Sequence, residues 1–248
     1  MIGAILWDID GTLAETERDG HLVAFNRAFE SLNVAWRWSD DQYGKLLSVT
    51  GGRERLLHDM QVEHRVPRDP VQRDILAARV HRLKNEIYAE IVAAGRLPLR
   101  EGVRELWEDC ARAGVRMGVV TTTSRSNVEA LLESHLGRGW EATFATVVCA
   151  ENAPQKKPHP QAYLLALEAL RLPADQAIAI EDAPAGVAAA RAAGVRVIVT
   201  RSSYFAAAQF HGAMAVGHSL GCVEGWQPSV EPCEQRVGLD QILRWART

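Results

Sequence analysis

Between Arg104 and Val199 short apolar runs alternate with amphipathic stretches, and this alternation constrains the fold more than any other feature of the 248-residue chain. Arg104 to Ala113 reads as a helix closed by Gly114, which can take the left-handed conformation that ends helices. Val115 to Thr121 is a strand with the continuous apolar centre Met117-Gly118-Val119-Val120. Asn127 to Ser134 is a helix, Thr146 to Cys149 a strand, Pro160 to Leu170 a helix and Ala177 to Ile180 a strand. Ala185 to Ala193, ended by Gly194, is a small-residue helix and Val195 to Val199 the next strand. Such a rhythm is that of a doubly wound parallel α/β sheet. Ile2 to Trp7 supplies a further strand at the start, Ala213 to Val216 an edge strand and Leu239 to Ala246 a closing helix.

The stretch from Glu15 to about Leu97 carries no strand pattern. Asp19 to Leu32 places Leu22, Phe25, Phe29 and Leu32 on one helical face. Asp40 to Leu47 and Arg53 to Met60 read as short helices. Pro70 to Val92 is a long one, with Pro70 at its first turn and Ile75, Val80, Leu83, Ile87 and Ile91 at helical spacing. The expected organisation is therefore an α/β core, 1–14 and 98–248, interrupted by a helical domain, 15–97. A net charge of −3 gives no basic stripe for nucleic acid, and no apolar run approaches the ~20 residues of a membrane span. The start lacks the basic region of a signal peptide. The four cysteines, Cys110, Cys149, Cys222 and Cys233, form no CxxC pair and read as free thiols in a reducing cytoplasm. A monomer or weak oligomer is expected.

Polar clusters sit where this pattern ends its strands or starts its helices. Asp8-Ile9-Asp10-Gly11-Thr12 follows the first strand. Two carboxylates so close repel one another unless a cation or a shared proton offsets the repulsion, and a hard cation such as Mg²⁺ takes oxygen ligands. Thr121-Thr122-Thr123-Ser124 ends the second strand, with hydroxyls and free N–H groups suited to phosphate oxygens; an ordinary helix cap is the alternative. Lys157-Pro158-His159-Pro160 offers a positioned positive charge, with Lys156 beside it as a competitor; a solvated lysine in a proline-stiffened loop is the alternative. Glu181-Asp182 ends the strand Ala177 to Ile180 and completes an oxygen-ligand set, unless Asp182 merely caps the helix that follows.

The order Asp-x-Asp-Gly-Thr, Thr, Lys-Pro, Glu-Asp resembles the four motifs of the haloacid dehalogenase superfamily, over Ile2 to about Thr200. The resemblance implies a Rossmann-like core and Mg²⁺-dependent phosphatase chemistry. By position it implies Asp8 as the nucleophile that forms an aspartyl-phosphate and Asp10 as general acid, then base. Thr121 would bind the phosphoryl group and Lys157 would balance charge. It also implies that Asp8, the backbone carbonyl of Asp10 and Asp182 hold the metal, with Glu181 in support. Asp10 argues against dehalogenation, because a carbon–halogen bond needs no protonated leaving group.

The helical insert is similar to the cap of the phosphoglycolate phosphatase and β-phosphoglucomutase group, which closes over the site and selects the substrate. Glu15-Thr16-Glu17 with His21, Ala24-Phe25-Asn26, Thr50-Gly51-Gly52-Arg53-Glu54, His81-Arg82-Leu83-Lys84, Thr121 to Asn127 and Thr200-Arg201-Ser202 resemble the CbbY-type branch. That branch includes xylulose-1,5-bisphosphate phosphatases of carbon-fixing organisms, in the chemistry of the Calvin cycle. The resemblance makes Glu17, His21, Thr50, Gly51, Gly52, Arg53, Glu54, His81, Lys84, Thr122, Thr123, Ser124, Arg125 and Asn127 candidates for contact with a small phosphorylated metabolite. A second phosphate would meet the helix start at Thr50-Gly51-Gly52, with Arg53, Lys84 and Arg125 supplying charge; solvated helix faces are the alternative for Arg53 and Lys84. His21 lies thirteen residues after Asp8, one more than in the commonest members of the group, so the first hinge is expected to be remodelled. Gly221 to Arg236 reads as a polar extension outside the family pattern, and a Cys222–Cys233 disulfide is disfavoured in a cytoplasm. Phosphoglycolate phosphatase and sugar-phosphate mutase remain alternatives within the same motifs. A phospho-accepting receiver module is the alternative of another class, which the long cap and Asp10 count against, and a catalytically silent binding protein is countered by the intact motif set.

Overall fold

The computed structural model describes residues 2–62, 67–230 and 234–247. At its centre is a six-stranded, all-parallel sheet in the order β3-β2-β1-β4-β5-β6. The strands are β1 (Ala4–Trp7), β2 (Arg116–Val120), β3 (Thr146–Val148), β4 (Ala177–Glu181), β5 (Arg196–Thr200) and β6 (Ala215–Gly217). β1 lies between β2 and β4, pairing Trp7 with Val119 on one side and Ile180 on the other. Strand order runs outward in both directions from β1. The crevice at its carboxyl end is thus the switch point where ligands of such sheets bind.

The period of two along the strands divides the core. Ile5 and Trp7 of β1, with Ile178 and Ile180 of β4, face a cluster completed by helices on one side of the sheet. Ala4 and Leu6, with Ala177 and Ala179, face a second cluster on the other side. α5 (Val103–Ala113), α6 (Arg125–Leu136) and α9 (Leu239–Trp245) cover the first face; α7 (Gln161–Leu170) and α8 (Pro184–Ala192) cover the second. Small residues on α8, Ala189 and Ala190, let it lie close to β4 and β5. The doubly wound α/β architecture is that expected from the sequence.

Between β1 and α5 the described residues hold only helices and connections: α1 (Val23–Ser31), α2 (Asp40–Leu46), α3 (Gly52–Val62) and α4 (Pro70–Ala93). Asp69 caps α4 by accepting from Val71 N and Gln72 N, with Pro70 in the first turn. An aromatic cluster of Phe25, Phe29, Trp36 and Trp38 packs inside this layer, and both indole N–H groups donate to Asp59 Oδ2, at 3.0 and 2.6 Å. Ile75, expected on the inner face of α4, is instead 47 % exposed; the buried stripe runs through Ala77, Val80, Lys84, Ile87, Tyr88 and Ile91. The helix expected from Asp19 begins at Glu17, and Glu17–Leu22 forms a π-helix that leads directly into α1. A π-turn takes an extra residue without breaking the helix. His21 lies on this π-helical segment.

The loop Gly221 to Arg236 is anchored where described: Trp226 stacks on Trp245 with centroids 5.1 Å apart, and Arg236 pairs with Asp109 at 2.8 Å. Cys233 lies outside the described residues, and with it the Cys222–Cys233 question. No helix among the described residues is long and apolar enough to cross a membrane.

Candidate active site

β1 delivers Asp8 to the mouth of the sheet, where its backbone N–H still donates to Ile180 O at 3.0 Å. Gly11, at φ +84°, turns the chain back. A side chain there would drive its Cβ to 2.6 Å from Asp182 Cγ, so only glycine lets the two strand ends meet. Asp8 is 6 % exposed. Lys157 Nζ donates to Asp8 Oδ1 at 2.6 Å, Glu181 Oε1 at 2.7 Å and Val120 O at 2.8 Å, which uses all three of its protons. Lys156, the competitor, instead faces Glu54 at 3.6 Å. Thr12 Oγ1 donates to Asp8 Oδ2 at 3.3 Å, Tyr163 OH to Glu181 Oε1 at 2.5 Å, and Ser202 Oγ to Asp182 Oδ2 at 2.5 Å. Asp182 does not cap α8, whose cap position is Ala183.

Oxygens of Asp8, Glu181 and Asp182 lie within 4.8 Å of one another, all three residues buried. Burial and the Glu181 charge, against the pull of Lys157, push the Asp8 carboxyl up to about 7. Burial and Asp8 hold Asp182 well above its ordinary range, with Ser202 opposing. One ammonium among three buried carboxylates leaves the cluster short of positive charge. Its donors are all oxygen, so the residues fit a hard divalent cation.

Asp10 faces the helical layer. His21 Nε2 lies 2.9 Å from Asp10 Oδ1, and Thr16 Oγ1 donates to the same oxygen at 2.5 Å. Burial alone would raise the Asp10 carboxyl, but His21 and the two hydrogen bonds outweigh it and hold the group well below the usual carboxylate range. His21 projects from the π-helical turn Glu17–Leu22, its ring 4.3 Å from that of Tyr88.

Two cavities meet at Asp10, Glu17, Gly51, Arg55 and Thr122. One, of about 410 Å³, holds Asp8, Thr121, Lys157, Glu181 and Asp182. The other, of about 210 Å³, is lined by His21, Gly52, Arg53, Glu54, His81, Lys84, Thr123, Ser124 and Asn127 among others. Thr50 Oγ1 donates to Lys157 O at 2.6 Å, joining the helical layer to the loop that carries Lys157. Lys84 is 3 % exposed, so it is not a solvated face residue. Its ammonium sits 5.2 Å from the Phe25 centroid, and burial brings it down to about 8. Burial and Lys84 also bring His81 down to about 3, keeping its imidazole neutral. Arg53 lines the smaller cavity but is partly exposed and paired with Asp74 at 2.5 Å. Asn127 Nδ2 donates to Thr123 Oγ1 at 3.0 Å, and its Oδ1 is buried without a protein partner. Ser124 caps α6 by position only, with no bond from its side chain to the first turn, and Arg125 N donates to the Glu151 carboxylate, at 3.0 Å to Oε2.

Arg125 departs from expectation. Its guanidinium turns away from both cavities, to Glu129 at 2.8 Å, to Glu141 and over the Trp140 ring. A carboxylate one turn along its own helix and a nearby indole outcompete a distant anion site. Sequence inspection missed Arg55 and Tyr43. Arg55 is 5 % exposed, donates to Tyr43 OH at 2.7 Å and faces Glu17 at 3.6 Å, while Tyr43 OH donates to Glu17 Oε2 at 2.5 Å. A signal was available: Arg55 and Asp59 fall on the same stripe of α3 as buried Leu56 and Met60.

This arrangement can be set beside known proteins. The haloacid dehalogenase-like hydrolase family profile matches residues 2–194. The plasmid-borne protein CbbY of Cupriavidus necator is 42 % identical over 244 residues, covering 98 % of this chain and 92 % of that protein; the similarity thus extends well past the family profile. The crystal structure of CbbY from Rhodobacter sphaeroides in complex with phosphate gives a TM-score of 0.82 at 40 % identity, over 88 % of this chain and 95 % of that one. A mutant of the same protein in complex with xylulose-(1,5)bisphosphate gives 0.83 at 39 % identity, with the same coverage. A match over most of the chain, in sequence and in structure alike, makes this protein a member of the haloacid dehalogenase-like hydrolases.

Proposed function

We propose that the chain is a Mg²⁺-dependent phosphatase that hydrolyses a small sugar phosphate through an aspartyl-phosphate, with xylulose-1,5-bisphosphate as its substrate. The observation that carries this reading is the joint hold of Lys157 Nζ on Asp8 and Glu181, beside Asp182 and opposite Asp10. Asp8, Asp182 and the backbone carbonyl of Asp10 would hold the cation, which, when bound, offsets phosphate and carboxylate charge. Phosphoryl transfer needs in-line positioning and charge neutralisation above all.

Asp8 attacks phosphorus, forming its acyl-phosphate bond as the phosphorus–alkoxide bond breaks. Asp10 gives its proton to the leaving alkoxide; then, as carboxylate, it takes one from the water that cleaves the acyl-phosphate and restores Asp8. In the free protein Asp10 is held as a carboxylate by His21 and Thr16. An arriving phosphate dianion raises the proton affinity of a nearby carboxyl, so the acid form belongs to the substrate complex. Thr121 and the Thr122 to Ser124 backbone suit the transferring phosphoryl group, and Lys157 balances its charge.

The segment 15–97 serves in this account as the cap. The second phosphate of a bisphosphate enters the smaller cavity, where Gly51, Gly52, Arg53 and Lys84 lie. Support for the substrate comes from that second cavity, opening beside the first and holding the buried Lys84 ammonium, and from the bisphosphate complex of the relative. We take the working compartment to be the cytoplasm, where Cys110 and Cys149 persist as thiols, and the protein to act as a monomer or weak oligomer on a small metabolite. Membership of a hydrolase family leaves no place for a receiver module. Asp8→Asn is the test: the purified variant keeps its melting temperature and releases no phosphate, whereas near-native turnover would remove Asp8 from the chemistry.

A further inference from the structure

Four consecutive residues after β5 each touch a different part of the site. Ser202 Oγ donates to Asp182 Oδ2 at 2.5 Å. Ser203 Oγ donates to Glu15 Oε2 at 2.9 Å, on the first connection between core and helical layer. Tyr204 OH donates to Asp40 Oδ1 at 2.6 Å, at the start of α2, and its ring lies 5.9 Å from that of Tyr43. Phe205 lines the catalytic cavity. The segment is pinned from behind by Arg100, on the second connection, which donates to Thr200 O at 3.0 Å and Arg201 O at 2.6 Å.

The path from Asp40 to Asp182 therefore runs through three backbone residues of one strap. A shift of α2 away from the core breaks the Tyr204 contact at one end; a shift of Ser202 unseats the Asp182 carboxylate at the other. We propose that Ser202–Tyr204 is a latch that couples the closed position of the helical layer to cation binding at Asp8, Glu181 and Asp182. Linkage makes the coupling mutual: the cation favours the closed layer as much as the closed layer favours the cation. The role rests on the metal and cap assignments proposed above. Tyr204 and Ser202 are positioning residues in it, since neither touches the reacting atoms.

The experiment is calorimetric titration of Mg²⁺ into the full chain, without substrate, for wild type, Tyr204→Phe, Ser202→Ala, the double variant and Asp182→Asn. Tyr204→Phe keeps the ring packing and removes the bond to Asp40, so it tests the latch without threatening the fold. Mg²⁺ affinity in this variant is expected to fall about fivefold, the equivalent of one ordinary hydrogen bond. The double variant is expected to bind no more weakly than Ser202→Ala, because the second cut falls on a strap already severed. Tyr204→Phe within twofold of wild type, or fully additive losses, would overturn the latch alone. Affinity unchanged in Asp182→Asn would overturn the metal assignment, and the latch with it.

Discussion

Gly186, in the first turn of α8 and on the wall of the Asp8 cavity, is a position where one methyl group reaches the chemistry through Glu181. A Cβ built there overlaps the Glu181 carboxylate, inside any van der Waals contact. Helix propensity alone would make Gly186→Ala stabilising by up to about 1 kcal/mol. The clash reverses the sign. Glu181 must leave a site where it accepts from Lys157 at 2.7 Å and Tyr163 at 2.5 Å, 1 % exposed. Both bonds end on a carboxylate, and such a charge-assisted bond contributes about 1.5–3 kcal/mol. Set against the propensity gain, the net loss is about 2–5 kcal/mol. In a chain of this length each kcal/mol moves the melting temperature by about 2–4 °C, so the variant is expected to melt about 4–20 °C lower. Catalytic efficiency should fall about tenfold or more, because a misplacement of Lys157 costing 1.4 kcal/mol in the transition state is a factor of ten. Thermal melts and phosphate-release kinetics check both numbers. In a Glu181→Ala background the clash is gone, and Gly186→Ala should then be stabilising. A variant that melts and turns over like wild type in the Glu181 background would refute the packing argument.

Two further outcomes follow from the same site. Because the Asp8 carboxyl is raised to about 7 by burial and Glu181, it is protonated below that pH and a cation must displace its proton. Mg²⁺ affinity should therefore rise from pH 5 to 7 and level off above, with Asp182 adding in the same direction; titrations in buffers of different ionisation enthalpy reveal the released proton, and a flat profile would contradict the assignment. Lys84 is buried and Arg53 is partly exposed and paired with Asp74. Truncating one charge of a buried ionic contact costs about 2–5 kcal/mol, and rim charges cost less. Lys84→Met should thus cut kcat/KM on a bisphosphate far more than Arg53→Ala, and neither should matter much for a monophosphate; equal losses on both substrates would remove them from a distal-phosphate site.

The parts of this site that are legible in the sequence are those fixed by strand ends. An apolar run that stops at Asp8, Thr121 or Glu181 can deliver those residues only to the carboxyl edge of a parallel sheet, and the structure brings them there. Side-chain direction in loops is not encoded so locally. Lys156 and Lys157 are adjacent, and only packing against Val120 and Glu181 decides which one meets Asp8. Arg125 carries the right charge near the right helix start, but Glu129 and Glu141 claim it. Arg55 escaped notice because an arginine reads as surface until its helical stripe is traced beside Leu56 and Met60. His21 lies on a π-helical segment, Glu17–Leu22, where the sequence pattern predicts an ordinary helix from Asp19.

The most direct test of the central claim is the ratio of kcat/KM values for inorganic phosphate release, with Mg²⁺ present, from xylulose-1,5-bisphosphate, phosphoglycolate and a hexose phosphate. The two joined cavities, one built around Asp8 and Lys157 and one around Lys84, predict that the bisphosphate is hydrolysed with the highest efficiency and releases one equivalent of phosphate per molecule. Phosphoglycolate turned over more efficiently than the bisphosphate would contradict the account.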